Sequence, residues 1–150
     1  MSPFPESSPP PGGRAVLLSV KPRFADLIVS GTKQVEFRRV WAQEHVPWIA
    51  VYSSTPTQQI IGIVEVESVV LASASTLWGL NGSLGGGLTR TELRSYFAGR
   101  VKGYAVILGR VLRPHSPVEP AEVIRGFRAP QSFRYLTGPE VLRLSRSFKP

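Results

Sequence analysis

The chain's densest group of chemically capable side chains lies between residues 19 and 39. Ser19, Lys21 and Pro22 are followed by Gly31-Thr32-Lys33-Gln34-Val35-Glu36-Phe37-Arg38-Arg39. A lysine, a carboxylate and an arginine that converge in a cleft can bind a phosphate and move a proton. The guanidinium fork matches phosphate oxygens, and a lysine whose ammonium is destabilised becomes a base. Lys33, Glu36 and Arg38 are the groups that could do so, and Lys21 stands where a strand feeds a helix and backbone donors are free for an anion. The same spacing also describes an exposed, salt-bridged strand with no chemistry.

Two further clusters offer polar groups. Tyr52-Ser53-Ser54-Thr55-Pro56 puts hydroxyls at a strand end, where they serve either a ligand or a turn. Gly126-Phe127-Arg128-Ala129-Pro130-Gln131-Ser132-Phe133-Arg134-Tyr135 interleaves aromatic and arginine side chains. That mixture suits stacked bases and phosphates, or else the rings anchor the loop to the core. Gly85-Gly86-Gly87 lacks the Lys-Ser/Thr of a phosphate-binding loop and reads as a flexible linker or lid.

Composition narrows the chemistry. The 150 residues carry a formal net charge of +8, from 18 Lys+Arg and 10 Asp+Glu. Residues 1–75 are balanced, with six basic and six acidic side chains, so the surplus falls in residues 76–150. Fourteen of the cations are arginine, which makes a polyanion, nucleic acid first, the leading partner class. With no cysteine, disulfides, zinc-thiolate sites and thiol nucleophiles are excluded. Asp26 is the only aspartate, and His45 and His115 are distant in sequence, so neither a two-metal acidic centre nor a Ser-His-Asp triad is recognisable. No metal or cofactor is expected. No apolar run reaches the roughly 18–20 residues of a membrane span, and the start lacks an apolar signal core, so a cytoplasmic location is expected.

The elements that must position these groups follow from local patterning. Residues 1–13 hold five prolines and two glycines and read as a disordered tail, leaving 14–150 as a single domain. Strands are predicted at 15–20, 34–40, 48–53, 59–71 and 103–112, with a bulge at Gly62. Pro22 opens a helix that Gly31 ends. A turn of helix is expected at 75–80, and a flexible loop at 81–87. Thr89 with Glu92 makes a capping box for a helix to about residue 98. Short helices are expected at 121–125 and 139–145, with 126–135 as loop. Strands joined by short helices and irregular loops predict an α+β fold with a small curved or closed sheet.

These residues carry a family resemblance. Leu17–Arg39 (LLSVKPRFADLIVSGTKQVEFRR) resembles the opening of ASCH-domain proteins, relatives of the PUA-like fold. The likeness continues through VYSSTP, IIGIVEVESVV, YFAG and GYAVILG to APQSFRYL. It implies a small β-barrel flanked by short helices, and an RNA- or nucleotide-binding role in RNA metabolism. It places Lys21, Lys33, Glu36, Arg38, Tyr52, Ser53, Gln131 and Ser132 in one cleft, with Lys33 and Glu36 as the candidate acid/base pair, Lys21 and Arg38 as anion contacts, and Gln131 suited to hydrogen-bond a base edge because its amide both donates and accepts. Arg134, in the same arginine-aromatic run, is a further candidate binding residue. Some relatives degrade RNA, and one small branch deacetylates acetylated cytidine with a Lys-x-x-Thr pair. Lys33 matches that lysine, but Glu36 stands where the threonine would be. The hydroxyl nucleophile is therefore missing, although a glutamate can activate water. The alternative reading is thus a metal-independent hydrolase acting on RNA or on a modified nucleoside. The absence of a nearby histidine weighs against efficient RNA cleavage.

Overall fold

The computed structural model describes residues 14–148. The proline-rich segment 1–13 lies outside the described residues. Six strands form one mixed sheet, curled into a half-barrel and flanked by short helices. The strands are β1 (Val16–Val20), β2 (Val35–Arg38), β3 (Trp48–Ser53), β4 (Gln59–Ser73), β5 (Lys102–Leu112) and β6 (Phe133–Tyr135). Their order is β2-β5-β4-β3-β1-β6. Only the β1–β3 pair is parallel, with Val16 beside Ile49 and Val20 beside Ser53. This is the α+β, PUA-like architecture that the strand spacing and the resemblance imply.

The helices are α1 (Pro22–Val29), α2 (Ala74–Ser83), α3 (Arg90–Tyr96), α4 (Pro120–Val123) and α5 (Gly138–Ser145), with a 3-10 turn at Arg146–Phe148. Pro22 occupies the first turn of α1, where a missing N–H costs nothing. Gly31, at φ +83°, turns the chain out of it. Thr89 and Glu92 form the expected capping box on α3, and Thr137 with Glu140 repeats it on α5.

The middle of the sheet is buried on both faces. Leu17, Trp48, Ala50 and Tyr52 face α4 and α5, meeting Val123, Val141 and Leu144. Val16, Leu18, Ile49 and Val51 face α1, meeting Ala25, Ile28 and Val29. A third cluster packs Val35 and Phe37 against Leu77, Leu93 and Phe97 of α2 and α3. The bulge expected at Gly62 is present: Val51 stands opposite Gly62 and Tyr52 opposite Ile60, so Ile61 is the extra residue. A Cβ on Gly62 would meet Val29 Cγ1 at 2.9 Å. The missing side chain therefore lets α1 lie close to the sheet.

Two predicted elements differ. Residues 81–83 belong to α2 rather than to a flexible loop, because the Asn81 side chain is buried and hydrogen bonded within the fold. Phe133–Tyr135 is a strand, antiparallel to β1. Three residues are too few to show an alternation, and the pairing partner lies at the other end of the chain.

Candidate functional site

Lys33, Glu36, Arg38 and Ser132 form one continuous polar chain. Lys33 stands just before β2 and is 2% exposed. Its Nζ donates to the Gly86 carbonyl and lies 3.6 Å from Glu36 Oε1. The ammonium sits over the rings of Phe24 and Phe37, at 5.0 and 5.5 Å from their centroids. Glu36, 7% exposed, receives Arg38 Nη1 on Oε2 at 3.2 Å, and Arg38 Nη2 donates to Ser132 Oγ at 2.5 Å. Alternation along β2 explains the arrangement. Val35 and Phe37 enter the core below α2 and α3, which sends Glu36 and Arg38 to the opposite face.

Burial pushes the Lys33 ammonium below the usual lysine value, and the Glu36 carboxylate only partly offsets it. The site thus holds a lysine that releases its proton more readily than a surface lysine. The exposed, salt-bridged strand is ruled out for this segment.

These groups lie in a cleft of about 960 Å³. Lys21 and Phe24 of the β1–α1 junction form one lip, and Leu88, Glu92 and Tyr96 around α3 form another. Pro130, Gln131 and Ser132 close a third side. That last segment is tied to β1: Ser19 Oγ donates to the Pro130 carbonyl at 2.7 Å, and Ser19 N to the Ser132 carbonyl at 2.9 Å. Arg23 of α1 pairs with Glu92 of α3 at 2.7 Å.

Of the residues singled out in the sequence, Lys21, Lys33, Glu36, Arg38, Gln131 and Ser132 line this cleft. Tyr52 and Ser53 do not. Both strand faces are covered at β3, so Tyr52 packs on Phe127 at 5.1 Å toward α4 and α5. Burial, with Glu119 nearby, pushes the Tyr52 phenol up. Ser53 is wholly buried, its Oγ without a hydrogen-bond partner, while its neighbour Ser54 reaches the cleft. Arg134 turns away to pair with Glu140 of α5 at 3.2 Å. The rings of the 126–135 loop are anchors: Phe127 rests on Tyr52 and Phe133 on Trp41, at 5.3 Å.

The glycine run holds a fixed place in the site. Gly86 N donates to the Asn81 carbonyl at 2.8 Å. The Asn81 amide clamps Leu88, donating to its carbonyl at 2.8 Å and accepting from its N–H at 3.1 Å. A Cβ on Gly85 would stand 2.2 Å from the Thr32 carbonyl oxygen, and one on Gly86 2.2 Å from Asn81 Oδ1. Close approach, rather than mobility, is what these glycines provide. Phe24 and Tyr96 line the cleft without having been singled out in the sequence, and Arg39 and Gly86 enter it in roles the sequence did not give them. Phe24 reads there as part of an apolar helix face, and nothing local marks the Gly86 carbonyl.

Among the described residues, no group of three or more His, Asp or Glu side chains could hold a metal ion. None of the helices is long and apolar enough to cross a membrane.

Comparison with known proteins agrees with the geometry. The ASCH-domain profile matches residues 18–107. An ASCH domain-containing ribonuclease from Zymomonas mobilis is 34% identical over 143 residues, covering 89% of this chain and 92% of the relative. The crystal structure of ASCH from Zymomonas mobilis superposes with a TM-score of 0.82 at 31% identity, covering 89% of this chain and 94% of that one. A serine-to-alanine form of that protein gives 0.81 at 30% identity, covering 89% and 95%. The sheet order, the placing of the β1–α1 and β2 motifs and these matches together make the chain a member of the ASCH-domain family.

Proposed function

We propose that the chain binds RNA or a nucleotide in the cleft between α1, α3 and the 130–132 segment, with a role in RNA metabolism. The observation that carries this reading is the Lys33–Glu36–Arg38–Ser132 chain, buried at Lys33 and Glu36 and half-buried at Arg38 and Ser132, in a cleft whose lips bear Lys21 and Arg39. A phosphate finds Lys21 and the Arg38 guanidinium there. A base finds the Phe24 and Tyr96 rings and the Gln131 amide. Binding to single-stranded RNA should weaken steeply with salt. Affinity that stays flat between low and high salt would sink the reading.

A second reading is favoured by the state of Lys33 and by the ribonuclease among the relatives. A neutral Lys33 amine can take the proton of a ribose 2′-hydroxyl. The oxygen then attacks the adjacent phosphorus, the bond to the 5′-oxygen breaks, and the leaving oxygen takes a proton from water. Arg38 neutralises charge gathering on the phosphoryl oxygens, and Glu36 holds Lys33 and Arg38 in register. A positioned base of this kind contributes roughly 10²–10⁴-fold. Incubation with RNA, beside a panel of modified nucleosides, separates the readings. Cleavage lost in both Lys33→Ala and Glu36→Gln assigns the chemistry to the cleft, whereas full activity in both removes it.

A further inference from the structure

The cleft extends to the residues that follow β2, Arg39 and Val40, and the surface there has a composition of its own. Arg38 stands opposite Tyr104, so the chain leaving β2 at Arg39 runs beside the chain entering β5 at Lys102. Arg100 Nη1 donates to the Arg39 carbonyl at 3.2 Å, which draws Arg39, Arg100 and Lys102 into one strip. All three are exposed, and none has an ion pair among the described residues. Four other cations of the basic half are already engaged. Arg110 pairs with Glu65, Arg134 with Glu140, and Arg113 and Arg143 donate to backbone carbonyls.

Stacking surface accompanies this charge. The Arg39 guanidinium lies over the Tyr96 ring, 5.1 Å from its centroid, and Arg39 N donates to the Tyr96 hydroxyl at 3.3 Å. Phe97 braces the ring edge-on at 4.8 Å and is itself seated over Gly103, where a Cβ would come within 2.2 Å of it. Val40 and Val101 add exposed apolar surface, at 58% and 86%. Arg39, Val40 and Tyr96 also line the cleft, so strip and cleft are continuous.

We infer that Arg39, Arg100, Lys102 and the Tyr96 platform form a second subsite, which takes the phosphates and a stacked base of a single-stranded nucleic acid whose neighbouring nucleotide occupies the cleft. The inference rests on the nucleotide-binding reading of the cleft and narrows it: the ligand is an oligonucleotide rather than a free nucleoside. Unpaired cations follow the backbone. A braced aromatic carrying a guanidinium receives any base face without reading its edge. A duplex would keep its bases stacked inside and could not use the platform.

The test uses the full chain and fluorescein-labelled oligouridylates of two, four and six nucleotides, with uridine monophosphate as competitor. Wild-type affinity should rise at least tenfold from two to six nucleotides. In the Arg39→Gln/Arg100→Gln/Lys102→Gln variant that gain should vanish, and the salt slope for the hexamer should become shallower by about 2, given roughly 0.7 per phosphate contact on single strands. Arg146→Gln, in the turn after α5 and outside the cleft, should behave as wild type. Tyr96→Ala should lose about tenfold or more for the hexamer, and Tyr96→Phe should retain affinity because the ring alone is needed. Affinity independent of length in the wild type, or a length gain that survives the triple substitution, overturns the strip while leaving the cleft standing. Failure of uridine monophosphate to displace the hexamer overturns the cleft reading instead.

Discussion

The Arg38 side chain reaches across the open seam of the sheet to Ser132, 94 residues away in sequence, and is hydrogen bonded to it at 2.5 Å. Arg38 ends β2 and Ser132 precedes β6, the two outermost strands. Backbone bonds do not join these edges, so side chains do, at the floor of the cleft. The bond therefore couples closure of the half-barrel to the placement of the charge that faces a ligand.

Ser132→Ala tests that coupling with the loss of one oxygen. The guanidinium then lacks a part-buried partner, and stability should fall by about 1.5–3 kcal/mol, the usual worth of a hydrogen bond to a charged group. Ser132→Thr, which keeps the hydroxyl, should lose less. Urea unfolding of the three proteins gives the comparison; an unchanged Ser132→Ala midpoint would mean that the bond contributes nothing.

Lys33 makes stability depend on pH in a predictable direction. Burial holds its folded value below the ordinary 10.5. Between those two values the unfolded chain binds a proton that the folded chain has released, so stability rises with pH through that window. Lys33→Met should remove this component. Between pH 7 and 10.5 the stability of the wild type should therefore rise relative to that of Lys33→Met, and a constant difference between the two would show that Lys33 contributes no such component.

Asn81 positions Lys33 through the glycine loop. Asn81→Ala leaves both the Leu88 N–H and C=O without their partner, costing about 1–3 kcal/mol. Water should then replace the loop around the ammonium and raise its titration toward the ordinary value. With only four lysines in the chain, carbon NMR of labelled lysine side chains follows Lys33 directly. A titration that does not move in Asn81→Ala would show that the clamp is purely structural.

Gly86→Ala is expected to fail by crowding. Its Cβ would stand 2.2 Å from Asn81 Oδ1, so the loop or the amide must shift, at roughly 1–3 kcal/mol. Were the loop a mobile lid, the same substitution would stiffen it and raise the melting temperature.

Thr89→Ala should cost about 1 kcal/mol through loss of the α3 cap. Its circular-dichroism melt should shift without any change in Lys33 titration, which separates helix stability from the site.

Most elements were legible because they repeat. The alternation at 34–40 places Val35, Phe37 and Arg39 on one face and Glu36 and Arg38 on the other; the structure keeps Val35 and Phe37 in the core and Glu36 and Arg38 in the cleft, but Arg39, past the end of β2, is exposed and lines the cleft as well. Capping residues located α3 before any tertiary information. What remained hidden was long-range. Gly86 reads as flexible because glycine is locally permissive, yet its carbonyl meets a lysine 53 residues away. Tyr52 and Ser53 look like a polar strand end, but no local pattern shows that β3 is covered on both faces. Arg134 sits in an arginine-aromatic run, but its cation is paired with Glu140, six residues on, in a capping box that only the fold brings beside it.

The sheet order also has a consequence for synthesis on the ribosome. β1, which begins at Val16, is flanked by β3 on one side and by β6 at Phe133–Tyr135 on the other. A growing chain can fold its amino-terminal strands early, but it has no Ser132 for Arg38 and no third wall for the cleft until that distant strand has left the exit tunnel. A protein whose proposed ligand is RNA thus acquires its complete binding surface only after most of its length is clear of the largest RNA assembly beside it.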